Sequence, residues 1–143
     1  MTVFQRVEQV QDLRDHYSLI EQACERLNAR AQRAFFAPDV YADLLEGRAR
    51  AVLAFQGQRA VGFFATRPGT DSEGRPTLLV WLAYVVPGTP GDVLLAGMHL
   101  VEHIAKEDGL GSVVFATQRK GWLRAAAKLG YRLTEYRFEK VIA

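Results

Sequence analysis

The chain has 143 residues, of which 49% are hydrophobic and 24% charged, with a formal net charge of +2. That is the composition of one ordinary globular domain spanning residues 1–143, large enough to bury a real core. The charge excess is too small, and the arginines too scattered, to imply nucleic acid; no apolar run could cross a bilayer, and one cysteine excludes an internal disulfide. Met1 to Arg6 carries no apolar leader, so a cytoplasmic location is expected, where a lone thiol stays reduced.

Thr2–Val7 reads as a first strand. From Val10 the period changes: Leu13, Tyr17, Ile20, Cys24 and Leu27 are spaced 4, 3, 4 and 3 apart, one stripe of a single helix. A shorter helix opens at Pro38 and runs to Leu45. Ala49–Phe55 and Arg59–Arg67 follow as an antiparallel hairpin across Gln56-Gly57-Gln58. Pro68–Pro76 is polar and rich in turn formers, hence an exposed loop. Leu78–Val86 is an apolar fourth strand.

The long helix Asp92–Glu107 has Asp92 placed to cap it. Leu94, Met98, Val101 and Ala105 form its inward stripe, with Leu95 and Ile104 on the flank. Val113–Ala116 is short and wholly apolar, as a strand in a sheet interior is. A last helix, Gly121–Leu129, stops at Gly130-Tyr131, and Arg132–Val141 reads as a final strand broken near Glu135. The order is βααβββαβαβ, a mixed α/β arrangement around one twisted sheet.

Pro87-Gly88-Thr89-Pro90-Gly91, between a strand and a helix, aims several backbone N–H groups at one point, which is anion-binding geometry. The strands beside it are poor in chemistry. Thr77–Pro87 and Gly111–Lys120 contain no Asp, Glu or His, and Tyr84 is the titratable side chain of the fourth strand. Trp81 and Tyr84 are expected on opposite faces of that strand if its pairing is regular. Cys24 sits on an apolar stripe, as a small core residue does. His99-x-x-Glu102-His103 matches an inverted zinc-peptidase spacing, but the same residues make a solvated helix face, and no metal site is expected. Phe35 and Phe36 either form a binding patch or pack onto the sheet.

This order, with Arg59-Ala60-Val61-Gly62-Phe63-Phe64, Leu82-Ala83-Tyr84-Val85-Val86-Pro87, Ala105-Lys106 before Gly109, and Lys128-Leu129-Gly130-Tyr131, resembles the GCN5-related N-acetyltransferase (GNAT) family over nearly the whole chain. Gly121-Trp122-Leu123-Arg124 also resembles small phage-encoded GNAT-like proteins. The family resemblance implies a three-layer fold, with a mixed, mostly antiparallel sheet and helices on both faces. It also implies a cleft where the fourth and fifth strands splay apart. The pantetheine arm of acetyl-CoA would add to the fourth strand at Tyr84, Val85 and Val86. Gly88, Thr89, Gly91 and Asp92 would hold the pyrophosphate, assisted by Arg119 and Lys120. Tyr84 is the candidate acid.

The chain departs from the family pattern in four places. In the Arg/Gln-x-x-Gly-x-Gly/Ala loop, Val86 stands where Arg or Gln belongs and Thr89 where the first glycine belongs. The usual general-acid tyrosine falls on Ala126, and the usual cofactor-contacting asparagine falls on Arg119. Trp122 is bulky where a small residue is usual. The resemblance therefore implies an acyl-CoA-dependent N-acyltransferase acting on an unidentified small-molecule or protein amine. The alternative is a catalytically inactive binding or assembly module of the same fold, and a homodimer is compatible with both.

Overall fold

The computed structural model describes residues 1–31 and 34–142. Its elements run β1 (Thr2–Arg6), α1 (Val10–Asp15), α2 (Tyr17–Ala31), α3 (Ala37–Leu45), β2 (Arg50–Gln56), β3 (Arg59–Thr70), β4 (Pro76–Val85), α4 (Asp92–Glu107), β5 (Val113–Val114) and α5 (Gly121–Lys128). The strands form one sheet in the order β1-β2-β3-β4-β5, antiparallel except for the β4–β5 pair. A parallel neighbour needs a crossover, and α4 is that crossover.

The sheet is covered on both faces. Against one lie α1–α3, whose Leu13, Leu19, Ile20, Ala23, Cys24, Val40 and Leu44 pack onto Leu53, Phe63, Leu82 and Tyr84. Against the other lies α4, with Val93 over Val52, Val61 and Phe64, and with Met98, Val101 and Ala105 over Leu78 and Val80. The buried stripe of α4 is Val93, Gly97, Met98, Val101 and Ala105. The expected Leu94 is half-buried. Gly97 is what lets the helix sit so close, because a Cβ there would run into the Phe64 ring.

The helix expected from Val10 onward is two helices. His16 leaves helical geometry (φ −118°, ψ 20°), its Nδ1 bonds the Asp12 carbonyl, and its ring meets Phe55 edge-on at 5.4 Å. Two-residue closure of β2 onto β3 through Gly57 (φ +62°) agrees with the expected hairpin. Pro68–Pro76 is only partly a loop. β3 runs on to Thr70 and pairs with Pro76–Leu78, leaving a turn at 71–75. Asp71 organises that turn: its Oδ1 accepts the Glu73 and Arg75 amides, at 2.9 and 3.0 Å, and its Oδ2 accepts the Ser112 hydroxyl at 3.2 Å.

The expected final strand is absent. Among the described residues, Arg132–Ile142 pairs with no strand, and Leu133, Tyr136, Phe138, Val141 and Ile142 are exposed. β5, whose composition reads as a sheet interior, therefore stands at the sheet's edge.

Candidate active site

β4 and β5 are in register at two positions only, Leu78 with Val113 and Leu79 with Val114. β4 continues to Val85, so from Val80 onward its outer edge has no neighbouring strand among the described residues. The inner edge sets the phase of the backbone. The Val86 N–H donates to the Val61 carbonyl at 2.8 Å, and Tyr84 stands opposite Phe63. In an antiparallel ladder, polar groups alternate between the two edges. Tyr84 and Val86 thus turn theirs toward β3, while Ala83 and Val85 turn theirs into the gap. Of the candidate pantetheine contacts, Val85 presents its backbone there. Val86 does not: its N–H is spent on Val61, and its carbonyl accepts the Thr89 amide. Ala83 has the required orientation and was missed, because the phase of a strand depends on its partner.

The same strand carries a bulge. Thr66 pairs with Val80 and Ala65 with Leu82, so Trp81 is the extra residue. Bulges bend a strand and re-aim its side chains. This one puts Trp81 and Tyr84, expected on opposite faces, on the same face as Leu82 and α1–α3, while Ala83 and Val85 face α4.

In the loop, Gly88 takes φ +88°, the left-handed turn that swings the chain from β4 into α4. The Thr89 amide donates to Val86 at 3.1 Å and the Val93 amide to Pro90 at 3.1 Å. Thr89 therefore holds the turn, which leaves the amides of Gly88, Gly91 and Asp92 without a backbone acceptor among the described residues. Asp92 is not the cap: Gly91 occupies that position, with no side-chain capping bond, and Asp92 is the first helical residue. Its carboxylate complements the helix dipole and would repel an anion at close range.

Arg119 and Lys120 are exposed where the chain enters α5, and the Arg119 amide donates to the Thr117 hydroxyl oxygen at 3.1 Å. Behind them an open cavity of about 300 Å³ lies between Leu95, one turn along α4 from Gly91, and Gly121, Arg124, Ala125 and Lys128 of α5 with Leu129 just after it. Arg124 and Lys128 have no ion-pair partner among the described residues. They were legible in the sequence, since Lys120, Arg124 and Lys128 recur every fourth residue, one stripe of a helix. Trp122 turns to the Phe115 ring (centroids 5.3 Å), which also meets Tyr131 at 5.2 Å.

Titratable groups are scarce near the gap. Tyr84 is only 7% exposed, packed under α1–α3, and its hydroxyl makes no hydrogen bond among the described residues. No fully buried side-chain polar atom lacks a partner there, so the phenol oxygen retains some contact with solvent. Tyr131 donates to Glu102 Oε2 at 2.7 Å; burial first, and that carboxylate second, push its pKa well above the ordinary phenol value. His99 pairs with Glu102 at 3.4 Å and His103 with Glu107 at 3.3 Å, on the exposed side of α4. Among the described residues no three ligating side chains converge on one point.

On the α1–α3 face, Phe35 packs edge-on against Trp81 at 6.3 Å, and the Arg67 guanidinium lies 4.5 Å over the same indole. Asn28 fixes Phe35 by bonding both its carbonyl and its amide at 2.8 Å. Phe36 is exposed. The two phenylalanines thus divide between packing and exposure.

No protein-family model matches the chain, and no curated protein matches it in sequence. Solved structures do match it in shape. A GCN5-related N-acetyltransferase from Ralstonia eutropha JMP134 superposes with a TM-score of 0.78 at 13% identity, covering 99% of both chains. A predicted acetyltransferase from Clostridium acetobutylicum, solved with acetyl-CoA, gives 0.71 at 12% identity, covering 99% of this chain and 96% of that one. A transcriptional regulator from Bacillus halodurans C-125 gives 0.71 at 14% identity, covering 99% of this chain and 100% of that one. The likeness spans the full length of each: the chain has the GCN5-related N-acetyltransferase fold.

Proposed function

We propose that this protein is an acyl-CoA-dependent N-acyltransferase that moves an acetyl group onto an amine. The observation that carries the reading is the free outer edge of β4, with the backbone of Ala83 and Val85 turned into the gap that ends at the first turn of α4. An extended pantetheine amide chain is the ligand such an edge accepts, as an added strand. The amides of Gly88, Gly91 and Asp92 meet the pyrophosphate, with Arg119, Lys120, Arg124 and Lys128 supplying positive charge.

In the reaction the amine nitrogen attacks the thioester carbonyl, the C–S bond breaks and the thiolate leaves. The proton lost by nitrogen goes to a base or water, and the thiolate gains one. The flanking strands offer no carboxylate or imidazole for this, so rate enhancement rests on holding amine and thioester together. The Tyr84 phenol is the candidate acid for the thiolate, reached through its solvent-contacting tip.

One observation favours a second reading, a non-catalytic binding or assembly protein of the same fold. No Asp, Glu or His lies on either flanking strand, and the Tyr84 ring is packed into the core. Calorimetry and a thermal shift with acetyl-CoA separate the two. Binding raises the melting temperature by mass action, by about 2.7 kcal/mol of stability at a hundred times Kd. No heat and no shift at millimolar acetyl-CoA would falsify the enzyme. Binding without turnover across a panel of amines supports the second reading.

A further inference from the structure

The cofactor end of the gap determines where an acceptor must enter. With the pyrophosphate at Gly88–Asp92, a pantetheine arm runs back along β4 from Val85. It ends where β5 rejoins the strand, at Leu79 with Val114. From Val85 to Trp81 is about 13 Å of extended chain, so the thioester arrives beside Trp81. One face of the sheet is shut at that point, because Met98, Val101 and Ala105 of α4 pack over Leu78 and Val80. The amine therefore comes from the α1–α3 face. The β4 bulge puts the Trp81 indole there, and Tyr84 lies on the same side.

That face holds a cation with donors to spare. Arg67, opposite Leu79 in the β3–β4 ladder, sets its guanidinium 4.5 Å over the Trp81 ring, and Phe35 meets the same indole edge-on at 6.3 Å. The carboxylate nearest to Arg67 does not use those donors. Asp43 Oδ2 stands 3.9 Å away, beyond hydrogen-bond reach, while Oδ1 accepts Arg48 Nε at 2.9 Å and Nη2 at 2.7 Å. Among the described residues the Arg67 side chain makes no hydrogen bond, and it is 41% exposed. A guanidinium held against a ring, with its N–H fork open, matches a carboxylate carried on an apolar body.

We propose that the acceptor is an apolar α-amino acid. Arg67 forks its carboxylate, Phe35 and Trp81 take its side chain, and its amine is aimed at the thioester. The assignment rests on the acyltransferase reading and adds the acceptor's class to it. Amine and carboxylate share one carbon in such a molecule, which suits a guanidinium seated beside the thioester end of the gap. The amine, as free base, forms the N–C bond as the C–S bond breaks. Its proton passes to a base or water and the thiolate is protonated, giving an N-acetylamino acid and CoA. Arg67 touches the acceptor away from the reacting atoms, so it sets specificity.

The test uses the full chain with L-phenylalanine and L-leucine, each against its carboxamide. The amide keeps the shape, removes the charge and stands for a peptide-like acceptor. Calorimetry in saturating CoA should give at least one amino acid a Kd roughly tenfold or more below that of its amide, the scale of a charge-assisted hydrogen-bonded pair. Arg67→Gln should erase that preference by weakening the amino acid alone, and Arg67→Lys should restore part of it. In thiol-release assays Arg67→Gln should raise KM for the amino acid, leaving KM for the amide and the affinity for acetyl-CoA unchanged. Three results overturn the acceptor class while leaving the transferase reading intact: amides that bind as tightly as the acids, a preference that survives Arg67→Gln, or no amino-acid binding by a protein that binds acetyl-CoA. A chain that fails to bind acetyl-CoA refutes the transferase reading itself, and the acceptor class falls with it.

Discussion

Gly97→Ala isolates the packing of α4 on the sheet. A Cβ at this position would lie within 2.9 Å of Cζ, Cε1 and Cε2 of Phe64. Carbon atoms in contact sit about 3.5–4.0 Å apart, so helix or ring must retreat by roughly 1 Å or more to clear the nearest ring atom. Phe64 is 1% exposed and held by Phe4 at 6.3 Å, so the ring cannot swing into solvent. Overpacking of this kind costs about 1–3 kcal/mol, while alanine gains about 1 kcal/mol over glycine inside a helix. Because three ring atoms are struck together, the net effect should be a loss of about 1–2 kcal/mol. That corresponds to roughly 3–7 °C in melting temperature for a chain of this size. Urea or thermal unfolding reads it directly. Adding Phe64→Leu to Gly97→Ala should cost less than Phe64→Leu alone, a coupling of about 0.5 kcal/mol or more. A Gly97→Ala protein melting at or above the wild type would mean that helix propensity outweighs the contact, and the close approach would be refuted.

Three further outcomes are expected. Backbone hydrogen bonds from Arg75 and then Glu73 hold Asp71 below the ordinary carboxylate pKa, so its stabilisation is present above the unfolded value and is lost as pH falls through the folded one. The melting-temperature advantage of wild type over Asp71→Asn should therefore be full at pH 7 and be lost in acid, once the pH falls below the ordinary carboxylate range; an advantage constant with pH would contradict it. Burial raises the Cys24 thiol above its usual value, so a colorimetric thiol reagent at pH 8 should react slowly until denaturant is added. Arg124→Ala with Lys128→Ala should weaken acetyl-CoA binding by roughly three- to tenfold, the scale of two solvent-screened charges, and flatten its salt dependence; equal affinity at low salt would remove the α5 stripe from the site.

Much of the fold was legible because it rests on local chemistry. The apolar stripe and the flanking glycines placed α4 at Asp92–Glu107, and Gly57 marked the hairpin. The errors share a cause: each was decided by a partner distant in sequence. The 4-3-4-3 spacing runs unbroken through His16, since α1 and α2 turn the same face to the sheet, so only the Phe55 contact and the local backbone reveal the break. Pro68–Thr70 has the composition of a loop. It becomes strand because Asp71 is tied to Ser112 across 41 positions, which holds the turn beyond it. The Trp81 bulge likewise exists only relative to β3.

The site divides along the same line. A backbone site is written as the absence of something: a second strand ending early, a glycine turn, amides left free. Sequence can suggest such a place but cannot set its phase, which is why Val85 faces the gap, Val86 does not, and Ala83 went unremarked. Side-chain chemistry should have been easier to read. Thr77–Pro87 and Gly111–Lys120 carry no carboxylate or imidazole, and the fold brings Tyr84 into the core on the α1–α3 side. A cleft made of main chain with cations at its rim can bind an acyl-CoA without being able to move a proton. Affinity and turnover are therefore separable in this protein, and they must be measured separately. On the proposed reading, binding would report on Gly88, Gly91 and the outer edge of β4, and turnover on the Tyr84 phenol and whatever the acceptor amine itself brings to the gap.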